Sequence, residues 1–402
     1  MLSFEQGLKT VKEKLAAANP RPGREVVPLD EARGRVLAEA ISADRDYPPF
    51  HRSLRDGFAV RAQDVAAPPV ELQWRGEVRA GGHFDETLTA GECISIMTGA
   101  PLPPGADAVV MVEYTESQGE RIKIQRAARP GENVAPQGSE AGAGVCVLKP
   151  GRRLGAGELA LLASVGKTRV EVFTRPVAAI LPTGDEVVPI ERRPQWFQIR
   201  NSNSVSLAAQ VAAAGGVPRC MEIAPDQPEA LGHLIREGLG ADLLLLSGGV
   251  SAGKYDFVEP ALAALGAEFY FDSVALRPGK PLVFGRVWGK FFFGLPGNPI
   301  STFVTFALFV RPALGVLGGA DFESPIFLRA RLGKPFQAPR GLTGFLPARL
   351  ENSSGEPEVT CVTWQGSGDL VGAAAATCFV VAHADLPSPA TGDWVDVLMK
   401  EP

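Results

Sequence analysis

Apolar residues recur at helical spacing from the start of the chain. Phe4, Leu8, Val11 and Leu15 fall on one face, with Glu5, Lys9, Lys12, Glu13 and Lys14 between them. The spacing predicts an amphipathic helix of the folded protein; a secretory leader needs an apolar core free of charges. Residues 26–37 read as a short helix start closed by Gly34. From residue 47 to about residue 144 the pattern shortens. Alternating runs at 92–97, 108–112 and 121–125 lie between Gly/Pro clusters, which predicts a β-rich module. A loop and short helix at 151–163 precede a strand at 168–173. Residue 176 opens the most regular stretch. Strands are predicted at 177–181, 217–223, 242–247, 269–276 and 282–287. Helices are predicted from Asn203 and Ser204 as caps to Gly215, over 228–239, after Asp256, and over 300–317. Strands alternating with helices predict βαβ units and a largely parallel sheet. The last eighty or so residues return to short strands and turns. No internal repeat is visible.

The run 242–247 carries the most information. It reads as a strand buried on both faces that stops abruptly at Ser247-Gly248-Gly249. Glycines there allow close backbone approach and can turn N–H groups toward an anion. Thr183-Gly184-Asp185-Glu186 and Pro296-Gly297-Asn298-Pro299 follow other strands, and Arg277, Lys280 and Pro281 lie between two strands. Ligands bind at the carboxyl ends of the strands in such sheets, so these loops can converge. A glycine cradle, carboxylates and fixed cations together suit a phosphate ester with a divalent metal. Mg²⁺ takes one or two protein carboxylates plus substrate oxygens, and Glu186 and Asp256 suffice for it. Asp56 and Thr98 sit in polar turns of the β-rich half, where residue chemistry alone gives them Asx-turn or capping roles.

Composition narrows the functional classes. The chain has 402 residues, enough for two to four domains, and is 45% hydrophobic and 21% charged. A net charge of −5 leaves no global basic field for nucleic acid. Five scattered cysteines without a Cys-x-x-Cys pair read as small buried hydrophobes in a reducing compartment. The longest apolar stretch, 303–310, is too short to cross a bilayer. A cytoplasmic protein with no membrane or nucleic-acid partner is expected. His51, His83, His233 and His383 lack zinc-ligand spacing. Gly166-Lys167-Thr168 imitates the end of a phosphate loop, but Leu161 stands where the earlier glycine is needed and a strand follows.

The motifs Arg55-Asp56-Gly57-Phe58-Ala59, Met97-Thr98-Gly99-Ala100-Pro101, Gly131-Glu132-Asn133, Thr183-Gly184-Asp185-Glu186, Ser247-Gly248-Gly249-Val250-Ser251, Pro278-Gly279-Lys280-Pro281, Gly294-Leu295-Pro296-Gly297-Asn298-Pro299 and Trp364-Gln365-Gly366-Ser367 occur in this order. In them the chain resembles the molybdopterin molybdenumtransferase family, that of the gephyrin E domain, over almost its whole length. The resemblance implies a multidomain α/β plus β fold. Its parts are a three-layer α/β/α pterin-binding domain (176–322), an inserted β-rich domain (47–144), a discontinuous N-terminal linking and dimerisation domain (1–46 and 145–175) and a C-terminal β-barrel (323–402). It implies an elongated homodimer whose cleft lies between the α/β domain of one subunit and the inserted domain of the other. The implied reaction takes adenylylated molybdopterin and molybdate to molybdenum cofactor with release of AMP, assisted by Mg²⁺.

The resemblance also assigns roles. Asp56, Thr98, Glu140, Glu186, Asp226 and Asp256 form its catalytic set, with Glu186 and Asp256 on the metal. Thr183, Gly184, Asp185, Ser247, Gly248, Gly249, Ser251, Pro281, Pro296, Gly297, Asn298 and Pro299 bind substrate. Arg277, Lys280 and Ser367 fall at its molybdate positions. Glu140 and Asn201 each stand where Asp is expected, Arg277 where Lys is, and Pro347 where an arginine is usual, with Arg349 nearby. A catalytically weakened dimeric scaffold of the same family, binding peptides, is the alternative these departures leave. A nucleotide pyrophosphatase built on the α/β domain is a third reading.

Overall fold

The computed structural model describes residues 1–249, 257–353 and 355–400. The expected site residues Ser251 and Asp256 lie outside the described residues.

The central layer is a six-stranded sheet of β1 (Val177–Pro182), β2 (Val217–Cys220), β3 (Leu243–Ser247), β4 (Glu268–Phe271), β5 (Val283–Val287) and β6 (Lys290–Leu295), in the order β2-β1-β3-β6-β5-β4. β2, β1, β3 and β6 are parallel, as expected. β5 runs antiparallel to β6 and to β4. The reason is local: only Trp288 and Gly289 separate the paired Val287 and Lys290, both with positive φ (50° and 80°). A two-residue turn of that kind makes a hairpin and cannot make a crossover.

Four helices cover the sheet: α1 (Ser202–Ala213), α2 (Pro228–Gly238), α3 (Val258–Ala264) and α4 (Pro299–Leu317). Alternation along the strands sorts the core into two layers. Ile180, Leu245 and Phe293 meet Leu207 and Val211 of α1 and Ile300 and Val304 of α4. Leu181, Leu244, Leu246 and Phe292 meet Leu231 and Ile235 of α2 and Leu262 of α3. The cap of α1 is Asn201, two residues earlier than expected; its side chain accepts the Ser204 N–H at 3.1 Å. By length and composition α4 could cross a membrane, and it extends beyond the run 303–310, yet 67% of its apolar span is buried inside the protein and it is a core helix.

The N-terminal helix Phe4–Ala18 forms with Phe4, Val11 and Leu15 inward. Burying side chains of this size contributes about 1.5–3 kcal/mol each. It packs on α4 through Phe4 and Phe309 (ring centroids 5.8 Å apart) and reaches the C-terminal strands through Phe4 with Phe327 and Phe345.

The helix start expected at 26–37 is instead the strand Arg24–Pro28 and one 3-10 turn, Leu29–Glu31. The β-branched Val26 and Val27 pair with Glu171 and Val170 of the strand Arg169–Phe173. Ile41–Ser42 likewise pairs with Cys146–Leu148. A shared core of Val27, Leu37, Ile41, Leu154, Leu162 and Val172 closes these two stretches of chain on each other. Between them lies a second six-stranded sheet, in the order Ala108–Met111, Gly57–Val60, Glu92–Ile96, Val70–Val78, Arg121–Ile124, Thr115–Gln118.

The C-terminal strands Phe327–Leu332, Thr343–Ser353, Glu356–Cys361, Cys378–Ala382 and Trp394–Met399 close into a five-stranded barrel. The strand expected at 269–276 stops at Phe271; Leu276–Arg277 is a separate short strand that adds to this barrel through Thr343 and Gly344. Cys93 and Cys378 are buried as expected, and burial pushes their thiols up to about 12 and about 11. Cys146 and Cys220 are exposed, contrary to the expectation for all five.

Candidate active site

Register brings the strand ends level. Pro182 lies beside Ser247, and Ser247 beside Leu295, so β1, β3 and β6 release their loops at one rim. The loops line a pocket of about 900 Å³. β1 supplies Thr183, Gly184 and Glu186; β3 supplies Ser247, Gly248 and Gly249; the loop after β6 supplies Pro296, Gly297, Asn298 and Pro299; Asp226 and Pro281 complete this group.

The glycines are forced by geometry. Gly248 and Gly249 have φ of +101° and +64°, which favours glycine. A Cβ on Gly248 would stand 2.8 Å from the Thr183 carbonyl oxygen, and one on Gly249 would stand 2.9 Å from Val258. The anion cradle expected here is smaller than the motif suggests, because the Gly248 N–H already donates to the Leu295 carbonyl at 3.1 Å. The Thr183 hydroxyl, packed against both glycines in a residue 4% exposed, has no partner among the described residues.

Asn203 is the site residue that sequence reasoning passed over. From the first turn of α1 its side-chain amide donates to the Ser247 hydroxyl (2.9 Å) and to the Gly297 carbonyl (2.8 Å), tying the β3 and β6 loops together. Its signal was legible: with Asn201 as the cap, a second Asn in the same turn is free for another task. Asp185 and Asp226 hold each other's backbones. The Asp226 N–H donates to Asp185 Oδ1 at 3.1 Å and the Asp185 N–H to Asp226 Oδ2 at 3.4 Å. Asp226 faces this pocket, whereas Asp185 lines a neighbouring, more apolar one of about 850 Å³ with Ile190, Val205 and Met221.

Glu186 is exposed in the pocket, and its carboxylate has no hydrogen bond or ion pair among the described residues. Those residues hold no group of three or more His, Cys, Asp or Glu that could cage a metal. An open carboxylate at the wall of a polar pocket nevertheless suits Mg²⁺, which keeps several waters and substrate oxygens.

The remaining expected residues lie at the margin or elsewhere. Ser367 accepts from the Asn298 amide at 2.9 Å, and its neighbour Gly368 lines the pocket. Arg277 and Lys280 are exposed and are not among the described lining residues; Lys280 precedes Pro281, which is. Pro347 is buried in a barrel strand opposite Phe379, and Arg349 is exposed.

Asp56, Thr98 and Glu140 belong to the β-rich half and are not among the described lining residues. Asp56 Oδ1 accepts the Thr98 N–H (2.6 Å) and hydroxyl (2.8 Å), and Arg52 donates to Glu140 at 2.7 Å. The Thr98 N–H, then its hydroxyl, hold the Asp56 carboxyl below the usual carboxylate range. A depressed folded value means the tie is fully present above the ordinary carboxylate pKa and is lost as pH falls through the depressed one. In Thr98→Val only the backbone donor remains. Carboxyl titration by NMR should then place Asp56 higher than in the parent, yet still below an unstructured aspartate.

The Gly166-Lys167-Thr168 resemblance to a phosphate loop is set aside by the structure: Lys167 pairs with Glu39 at 2.8 Å ahead of a strand.

The chain is similar to known proteins along its whole length. Three family models match: the MoeA N-terminal region (domain I and II) over residues 2–166, a probable molybdopterin binding domain over 179–315, and the MoeA C-terminal region (domain IV) over 329–400. A molybdopterin molybdenumtransferase of Nostoc sp. is 40% identical over 76% of this chain and 72% of its own length. That of Bacillus subtilis is 34% identical over 93% and 89%. A crystal structure of the molybdopterin biosynthesis moeA protein from Pyrococcus horikoshii OT3 superposes with a TM-score of 0.79 at 29% identity over 100% of both chains. A second one, from Pyrococcus horikosii, gives a TM-score of 0.71 at 33% identity over 99% of each.

Proposed function

The chain belongs to the molybdopterin molybdenumtransferase family, and from that premise we propose how its pocket handles an adenylylated molybdopterin, molybdate and Mg²⁺. The protein is a transferase of molybdenum cofactor biosynthesis. The observation that carries the site assignment is the level rung Pro182, Ser247 and Leu295, which gathers three loops around one polar pocket.

The pterin nucleotide lies along this rim. Asn203 fixes the Ser247 hydroxyl and the Gly297 carbonyl before substrate arrives, so neither loop has to be ordered on binding. Glu186 and Asp256 would hold Mg²⁺, which when bound would supply positive charge to offset that of the phosphate oxygens. Asp226 is held by its backbone to Asp185, which fixes where its carboxylate enters the pocket.

Molybdate, a doubly charged tetrahedral anion, needs fixed cations and hydroxyl donors. Lys280 and Ser367 each precede a lining residue, Pro281 and Gly368. Arg277 stands on the strand that joins the barrel edge. These three residues bind molybdate on the barrel side of the pocket. The unit is a homodimer. Asp56, Thr98 and Glu140 are exposed on the β-rich half, outside the pocket of their own chain, and act on that of a second copy.

The test is AMP release from adenylylated molybdopterin with molybdate titrated at fixed Mg²⁺. Release should depend on molybdate. Loss of a charge-assisted contact in Lys280→Ala should raise the half-saturating molybdate by about 10- to 100-fold. Release indifferent to molybdate would overturn the coupling, and an unshifted titration in the variant would remove Lys280 from the anion site.

A further inference from the structure

The loop between β1 and α1 carries an aromatic pair, Trp196 and Phe197. Its neck is a two-rung parallel pairing, Val187 with Ile199 and Val188 with Arg200, with the Ile199 N–H on the Glu186 carbonyl and the Asn201 N–H on that of Val188 (both 2.9 Å). Beyond the neck, a turn is closed by the Gln198 N–H on the Gln195 carbonyl (3.0 Å) and by the Gln195 N–H on the Gln198 side chain (3.2 Å). The two residues at the tip are Trp196 and Phe197, 96% and 52% exposed, edge to face at 5.5 Å. Neither has another ring partner among the described residues.

A large aromatic side chain ordinarily buries 150–250 Å² and anchors a core or an interface. Here it is held in water on a braced turn. The neighbours say what it faces. Pro194, Ile199 and Arg200 line the candidate active-site pocket, and Glu186 lies at the root of the loop. Arg192, Arg193 and Arg200 are exposed and have no ion pair among the described residues; Glu191 is the one carboxylate among them. A flat hydrophobic face on a loop whose Arg200 lines the pocket, with no ion pair among the described residues, suits a fused heteroaromatic ring that carries phosphate. Rings stack on indoles whatever their edge pattern, and arginines take phosphate oxygens in bidentate fashion.

We propose that Trp196 is a substrate-binding residue: the tip of this loop folds over the pocket and stacks on a fused ring of the pterin nucleotide, its adenine or its pterin. This rests on the nucleotide reading of the pocket. Phe197 backs the indole, and Arg200, which lines the pocket, takes the phosphates. Because the neck is already paired, only the tip moves.

The test measures the affinity of AMP and of a pterin phosphate by equilibrium dialysis against the full-length parent, Trp196→Ala and Trp196→Phe. Acrylamide quenching of tryptophan emission is followed in parallel in the parent and in Trp196→Phe. One of the two ligands should bind about 10-fold more weakly to the alanine variant and within about 3-fold of the parent to the phenylalanine variant. The ligand so affected names the ring. Saturating AMP should protect the parent's emission, and not that of Trp196→Phe, if that ring is adenine. Equal affinity of both ligands for all three proteins overturns the stacking role while the pocket assignment stands. If the parent binds neither ligand, the pocket assignment falls, and this inference with it.

Discussion

Replacing Glu186 with glutamine should lower AMP release by at least about 100-fold and leave stability almost unchanged. The carboxylate is exposed and has no protein partner among the described residues, so none of their contacts depends on its charge. Surface changes of this kind stay within about 0.5 kcal/mol. Glutamine keeps the size and removes the charge that a hard cation needs, and loss of one preorganised electrostatic contact at a reacting phosphate costs roughly 10²–10³ in rate. Asp256→Ala should do the same, since the sequence places this second carboxylate just beyond the β3 glycines. Turnover measured across a Mg²⁺ titration, beside thermal unfolding of the same samples, decides it. A parental rate together with an unshifted half-saturating Mg²⁺ in the glutamine variant would end the assignment of Glu186 to the metal.

The second large effect is on the backbone. Gly248→Val should destabilise the protein by about 2–6 kcal/mol and abolish binding of AMP. Two costs add. A side chain at φ +101° is strained by about 1–3 kcal/mol, and a Cβ 2.8 Å from the Thr183 carbonyl overpacks the rim by a similar amount. Relief requires the Thr183 loop to move, and that loop carries Gly184 and Glu186 into the pocket. Gly297→Ala is the control. Its φ is not positive, and its Cβ would stand 3.6 Å from Gly248, an ordinary contact, so the expected change is under about 1 kcal/mol. Denaturant midpoints of the two variants should therefore separate clearly. Equal midpoints would show that the β3 turn is not held as described.

Much of the architecture was legible because it rests on short-range physics. The run 242–247 holds a strand of four leucines and a serine buried on both faces, and β1 is buried almost as fully, as its apolar residues require. The helix start with proline in its first turn at Pro228 was legible for the same reason, and the helix expected from residue 300 starts one residue earlier, at Pro299. The misses have equally local causes. Trp288-Gly289 is a hairpin turn that a search for crossovers overlooks. Leu276–Arg277 looks like the end of a strand, but pairs with Thr343 and Gly344, far along the chain. Asn201 and Asn203 are interchangeable as caps in the sequence, and only the positions of Ser247 and Gly297 tell them apart.

By itself the chain's sequence determined which residues form the strand ends and which chemical groups they carry, because turn glycines, carboxylates and alternation are written within a few residues of one another. Tertiary structure alone decided which of those groups meet. Register sets Pro182, Ser247 and Leu295 on one rung, the Gly248 N–H is taken by Leu295, and Asp56 with Thr98 stays outside the pocket of its own chain. Those are pairings between residues distant in the chain, and no local propensity encodes them.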